Sequence, residues 1–380
     1  MNPRLLLNSG LVCLAALAAA AKEPPVTALV IRIKAVTAEG KGNVEAGKAL
    51  QELSGGTGKS IPAILEAMSG ANDYALNWLR SAVETIAQRE ASARHPLPLA
   101  ELKKFLTNTQ HHPRARRLAY DLIAREDAAT AQALLPTFVN DPSNELRRDA
   151  VQLLVDAAAA KAKAGDRATA ATGLNNALNH ARDPDQIEDI AKSLKDLGQK
   201  VDLQKTFGWL THWKIIGPFD NTAGAGFEKV FPPEQSPSQS LDTAAEYDGK
   251  TGKVRWQDYQ TKSEYGLVDF NQPLDALKEV TGYASTEFWC ERGRSAEIRL
   301  GCKNGWKVWL NGKLLFGRDE YHRNMEIDQY RIAIDLKPGK NVLLIKCCQN
   351  EQKEDWTKEW EFQVRITDAE GTPLASNKPN

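Results

Sequence analysis

Near residue 205 this chain changes the period at which apolar side chains recur, and one kind of structure does not accommodate both patterns. From about Ser60 to Gly198 the apolar residues return once per helical turn, broken at Asp-Pro and His-Pro pairs, as amphipathic helices require. From Thr286 onward they alternate residue by residue, which places every second side chain on one face of a strand. Of the 9 Trp residues only Trp78 precedes the change. A multidomain chain, α then β, is therefore expected, and 380 residues are ample for more than one core.

The helical part reads best from Ala131 to Ala157. Leu134, Leu135, Phe138 and Val139 form one apolar face, Asp141-Pro142-Ser143 makes a turn and cap, and Leu146, Ala150, Leu153 and Leu154 form the next face. Weaker hairpins surround Asn72-Asp73 and His112-Pro113, and a final pair, Ala168 to Ala181 and Gln186 to Leu197, turns at Asp183-Pro184-Asp185 and ends at Gly198. No such hairpin buries its apolar face alone, so stacking into a short solenoid is expected. Residues 22–59 form a lead-in whose Ala28 to Val36 fits either a strand or a first helix. Gly55-Gly56-Thr57-Gly58-Lys59-Ser60 lacks the first glycine of a phosphate loop, because Leu53 stands there, and no strand leads into it. It reads as a flexible linker with Ser60 as N-cap. His111-His112 with Arg114, Arg116 and Arg117 makes a basic cluster, as does Arg147-Arg148; solvated helix faces account for most such runs, and a basic groove for an acidic glycan or partner is the secondary reading.

In the second part, two short apolar runs flank Asn311-Gly312, and a type I′ turn needs positive φ at both central positions, so Gly305 to Phe316 reads as a tight hairpin. Trp306, Val308 and Leu310 share one strand face and Lys307, Trp309 and Asn311 the other. Further inward sets are Ile298, Leu300 and Cys302; Ile332, Ile334 and Leu336; Leu343, Ile345 and Cys347; and Phe362, Val364 and Ile366. Their partners are mostly polar, which predicts antiparallel sheets with one wet face. A Gly-, Pro- and Ser-rich loop is expected from Thr222 to about Ser240.

Pro136, Asp141 and Arg147 stand in the order found in HEAT repeats, and this hairpin resembles them; the Ala168 to Leu197 pair is more similar to a tetratricopeptide hairpin. Gly301-Cys-Lys-Asn-Gly-Trp-Lys-Val-Trp-Leu-Asn-Gly-Lys-Leu-Leu, with Leu336-Lys-Pro-Gly-Lys-Asn-Val-Leu-Leu-Ile-Lys, resembles the galactose-binding-like jelly-roll modules appended to secreted bacterial glycosidases. The chain is also similar to exported bacterial proteins in which helical repeats precede a segment like Trp213-Lys-Ile-Ile-Gly-Pro-Phe-Asp-Asn. These resemblances imply HEAT-like repeats over 60–205, a jelly-roll β-sandwich over 206–375 and a tail over 376–380, and they transfer no ligand residues. Calcium held by loop carboxylates occurs in modules of this type, but no spacing here supports it.

Arg4, the apolar Leu11 to Leu17, and Ala19 and Ala21 make residues 1–21 a signal peptide cut before Lys22, so a periplasmic or extracellular protein is expected. No later stretch is apolar enough to span a bilayer. Lys plus Arg and Asp plus Glu are both 49, so no net field draws the chain to nucleic acid. Of the 5 cysteines, Cys290, Cys302, Cys347 and Cys348 remain after cleavage. Their strand phase suits small buried hydrophobes, their three full pairings stay open, and no zinc spacing is present.

Sugars stack their C–H faces on aromatic rings and give their hydroxyls to nearby amides and carboxylates. Trp309 is the ring expected to serve, with Asn311, Arg318, Asp319, Tyr321, His322, Asn350 and Gln352 around it. Asp319, Glu320 and His322 lie in one loop with no identifiable carboxylate opposite, and there is no nucleophile elbow or zinc-protease helix. No catalytic residue, metal or cofactor is expected. The reading is a non-catalytic exported protein that binds glycan or another surface ligand. The alternatives are a protein-interaction scaffold with a purely structural sandwich, and a hydrolase of envelope polysaccharide or its accessory.

Overall fold

The computed structural model describes residues 25–235 and 241–377. The signal peptide expected over 1–21, with its Cys13, lies outside them. The chain divides into two compact units, Met1–Leu146 and Arg147–Asn380.

The first unit is helical: α1 (Val26–Lys34), α2 (Asn43–Leu53), α3 (Ile61–Ala67), α4 (Asp73–Ser92), α5 (Leu99–Thr107), α6 (Pro113–Glu126) and α7 (Ala128–Leu134), with α8 (Asn144–Lys163) beginning at its end. The lead-in is helix, not strand, since Leu29, Val30 and Ile33 of α1 are buried while Ile31 between them is exposed, the stripe of a 3.6-residue period. Side chains cap the starts: Asn72 Oδ1 accepts the Ala75 N–H at α4, His112 Nδ1 the Arg114 N–H at α6 and Asp127 Oδ1 the Thr130 N–H at α7. Ser60 makes no such cap, and Thr57 Oγ1 instead accepts the Lys59 N–H. The glycine run before it is pinned rather than loose, because Arg89 donates to the carbonyls of Ser54 and Gly56.

The basic cluster of α6 is largely neutralised within this unit. Arg116, 1 % exposed, donates two bonds to the Asp141 carboxylate, at 2.5 and 2.7 Å, and a third to the Leu106 carbonyl. Arg117 pairs with Asp121 at 2.9 Å and Arg114 with Asp73 at 3.4 Å. A buried bidentate pair fixes two hairpins 25 residues apart in sequence.

The second unit opens with the rest of α8, then α9 (Arg167–His180), α10 (Pro184–Asp196) and α11 (Leu203–Phe207). These helices share an apolar cluster that includes Val151, Leu174, Ile190, Phe207 and Trp209, with Tyr265 and Ile327 of the strand region packed on it. Gly198 ends α10 at φ 81°, a left-handed value that glycine adopts without strain.

Strands follow: β1 (His212–Asp220), β2 (Tyr247–Asp248), β3 (Lys253–Val254), β4 (Gln257–Gln260), β5 (Val268–Asp269), β6 (Val280–Cys290), β7 (Arg294–Cys302), β8 (Gly305–Leu310), β9 (Lys313–Arg318), β10 (Tyr330–Leu336), β11 (Gly339–Gln349) and β12 (Glu361–Thr367). They pair antiparallel in a six-stranded sheet, β4-β1-β6-β11-β8-β9, a four-stranded sheet, β10-β7-β12-β5, and a small β2-β3 ribbon. Both large sheets contribute to one core, in which Trp306, Val308, Leu343 and Ile345 of the first meet Ile298, Leu300, Phe362 and Val364 of the second. Asn311 and Gly312 turn β8 into β9 with φ of 53° and 86°, the backbone a type I′ turn demands.

The other face of the six-stranded sheet departs from the expected wet surface. Ile216, Phe219, Tyr283, Trp309 and Leu344 on it are buried beneath Phe231, Val254 and Trp256. Lys346, fully buried, holds this cover down by donating to the carbonyls of Phe227 and Lys229, each at 2.9 Å, and to Glu234 at 2.8 Å. Strand phase placed Trp309 on the face away from Val308 and Leu310, where it lies, but the segment that covers it carries no periodic signal. Among the described residues no helix is long and apolar enough to cross a membrane.

Candidate functional site

Neighbouring strands of the six-stranded sheet run in opposite directions, so the C-terminal ends of β1, β11 and β9 and the N-terminal ends of β6 and β8 meet at one edge. The loops leaving that edge bring together six of the eight residues expected at a site: Arg318, Asp319, Tyr321, His322, Asn350 and Gln352.

The inner layer is fixed by buried polar groups. Asn221 is fully buried, and its amide donates to the Tyr321 phenol at 3.2 Å and the Gln349 carbonyl at 3.0 Å. Its Oδ1 has no hydrogen-bond partner. Tyr321 and Asp319 close over Gly305, where an added Cβ would stand 3.1 Å from the Tyr321 hydroxyl and 3.4 Å from Asp319 Oδ1. Burial raises the Tyr321 phenol above its ordinary pKa, so it stays a protonated hydroxyl. Asp319 itself is exposed to solvent; partial desolvation, then the negative charge of Glu228, raises its carboxyl, with Lys307 opposing.

The outer layer meets solvent. His322, in the left-handed region at φ 57°, donates from Nε2 to Asn350 Oδ1 at 2.8 Å, and the Asn350 amide donates to Gln352 Oε1 at 3.3 Å. The Trp356 indole stands edge to face with the His322 ring, 5.3 Å between centroids, and is 63 % exposed. Arg318 is committed locally, paired with Glu320 at 3.2 Å, while Arg323 also holds Glu320 at 3.3 Å. An open aromatic face beside an imidazole and two primary amides is suited to a polyhydroxylated ring, whose C–H face covers the indole while its hydroxyls exchange hydrogen bonds with the amides.

Two expected residues lie elsewhere. Trp309 is 6 % exposed, sealed under Phe231 and Trp256, and so offers no ring to a ligand. Asn311 sits at the opposite end of β8, where its amide donates to Asn341 Oδ1 and its Oδ1 accepts the Val342 N–H, both at 3.0 Å. It is a turn residue, roughly 20 Å from the site edge by strand rise. Trp356 and Asn221 were the residues that sequence reasoning missed. A lone indole within Lys353-Glu-Asp-Trp-Thr-Lys, a run otherwise charged or polar, was the available signal for the first; Asn221 carried none beyond ending the Trp213 to Asn221 segment.

No protein-family model matches the chain, and no curated protein sequence matches it. Among solved structures it is similar to a GH2 β-galacturonidase from Eisenbergiella tayi bound to glycerol (TM-score 0.24, 11 % identity, 34 % of this chain and 24 % of that one). It is similar also to a β-glucuronidase from an uncultured Clostridium sp. (TM-score 0.26, 14 % identity, 42 % and 29 %). A third is a Faecalibacterium prausnitzii β-glucuronidase (TM-score 0.23, 18 % identity, 38 % and 21 %). The chain thus spans between a fifth and a third of the length of these proteins, and likenesses of this size carry no argument about activity.

Proposed function

We propose that this chain is a non-catalytic, exported binding protein in which HEAT-like repeats carry a galactose-binding-like jelly-roll sandwich, and that the loop end of the sandwich takes a neutral sugar. The observation that carries the reading is Trp356, an exposed indole set against His322 and bordered by Asn350 and Gln352. Neutral glycan fits better than acidic glycan because Arg318 and Arg323 are both held by Glu320. The bidentate Arg116–Asp141 pair between successive hairpins supports the repeat reading of the first unit. The test is a glycan array probed with the full chain: neutral oligosaccharides are retained, and Trp356→Ala and His322→Ala each abolish retention. An array blank for neutral sugars, or unaltered by Trp356→Ala, refutes the assignment.

One observation favours a second reading as a glycoside hydrolase. Asp319 is less acidic than an ordinary carboxyl and lies near Glu228, as an acid–base pair would require. Turnover of a glycoside panel, lost in Asp319→Asn, would establish it, and absence of turnover in the unaltered protein would dismiss it.

A further inference from the structure

Cys302 ends β7 in the four-stranded sheet and Cys347 lies in β11 of the six-stranded sheet, so the two thiols face each other across the core. Their sulfurs are 3.7 Å apart, and neither residue is more than 2 % exposed. We infer that Cys302 and Cys347 are a disulfide site that staples the two sheets together when the chain folds in the presence of a disulfide oxidant.

The geometry selects this pair over the others. Cys348 is the neighbour of Cys347 and, by strand alternation, points to the opposite face, where its thiol lies 3.4 Å from Thr281 Oγ1. Cys290 pairs across β6 and β11 with Gly339, whereas Cys347 pairs with Gly282; eight residues of strand separate those positions, roughly 26 Å. Cys290 donates instead to the Arg292 carbonyl at 2.8 Å. Among the described cysteines only the 302–347 sulfurs are close enough for small χ1 adjustments to bring them to bonding distance.

The reaction is ordinary thiol–disulfide exchange. One cysteine, as thiolate, attacks a sulfur of the oxidant's disulfide and expels the other sulfur. The second cysteine, as thiolate, then attacks the protein sulfur of the mixed disulfide, forms the 302–347 bond and releases the remaining oxidant sulfur. One S–S bond breaks and one forms, the two cysteines are oxidised, and the oxidant leaves as two thiols carrying the two protons. Burial, reinforced by the adjoining Cys302 thiol, pushes the Cys347 thiol well above its ordinary pKa. The closed core therefore offers almost no thiolate, and the bond forms while the sheets are still apart.

The experiment unfolds and reduces the full chain, refolds it in a mixture of oxidised and reduced glutathione, alkylates the remaining thiols and maps the peptides. Cys302 and Cys347 are expected to be unlabelled and joined, two hydrogens lighter than the free peptides, with Cys290 and Cys348 labelled. The cross-link closes a span of 45 residues, so the oxidised chain should melt roughly 5–15 °C above the reduced one. Native reduced protein exposed to the same mixture should gain the bond far more slowly. Cys302→Ala should remove the cross-link; if that variant does not fold, the map of the unaltered chain decides alone. Labelling of both Cys302 and Cys347 after oxidative refolding, or a bond from either of them to Cys13, Cys290 or Cys348, overturns the inference.

Discussion

Replacing Asp328 with Asn should strongly destabilise the second unit. The Asp328 carboxylate, 1 % exposed, accepts two bonds from Arg365, at 2.8 and 2.6 Å, and one from Arg299 at 2.9 Å. Arg299 keeps Glu297 at 2.9 Å when that charge is lost. Arg365 keeps the one acceptor oxygen of the new amide, the Phe207 carbonyl at 3.1 Å and the faces of Phe207 and Trp209, but loses its buried counter-charge and meets an amide NH2 where the second oxygen stood. An uncompensated guanidinium in a fully buried position costs about 3–5 kcal/mol, or a fall of roughly 6–20 °C in melting temperature for a unit of this size. Tryptophan fluorescence reads the second unit almost alone, because 8 of the 9 Trp lie in it, and denaturant titration of wild type and variant gives the difference.

The two guanidinium groups also set the pH dependence of this carboxylate. Burial alone would raise the Asp328 pKa, but the bonds and charges of Arg365 and Arg299 outweigh it, and the folded-state pKa is depressed. A depressed carboxylate stabilises the fold fully above its unfolded value, about 3.9, and the contribution is lost as pH falls through the folded value. The gap between wild type and Asp328→Asn should be constant from pH 5 to neutrality, about the range well above that pKa, and should close in stronger acid. A difference below about 1 kcal/mol at neutral pH, the level of an exposed pair, would refute the reasoning.

Two other substitutions test separate parts of the account. Arg116→Ala removes both bonds to the buried Asp141 and should cost the first unit about 3–5 kcal/mol, followed by far-UV circular dichroism; an unchanged midpoint would show that the pair does not hold the hairpins. Lys346→Ala releases the Phe227 and Lys229 carbonyls and should loosen the cover over Trp309, read as increased acrylamide quenching relative to wild type. Unchanged quenching would mean that apolar contacts alone hold it.

Local stereochemistry was the most legible part of the sequence. Asn311-Gly312 declared its turn because few residues accept positive φ, and strand alternation sorted Val308 and Leu310 from Trp309 by face. Alternation does not say what covers a face, so Trp309 looked open and is sealed by a segment without periodicity. Arg116 looked like surface charge for a similar reason: its partner stands 25 residues away, beyond any helical spacing. The β-branched run in α1 suited strand and helix alike until packing selected one stripe. At the loop edge the sequence supplied the polar residues but not the ring, because a loop tryptophan has no periodic neighbours to mark its direction.

The most direct test of the sugar-binding assignment is calorimetric titration of the full chain with a neutral oligosaccharide retained on the array, repeated with Trp356→Ala and with Asn311→Ala at the far end of β8. Loss of the stacking platform should weaken binding at least tenfold, about 1.4 kcal/mol, while Asn311→Ala leaves the isotherm unchanged. Equal affinity in wild type and Trp356→Ala would contradict the assignment.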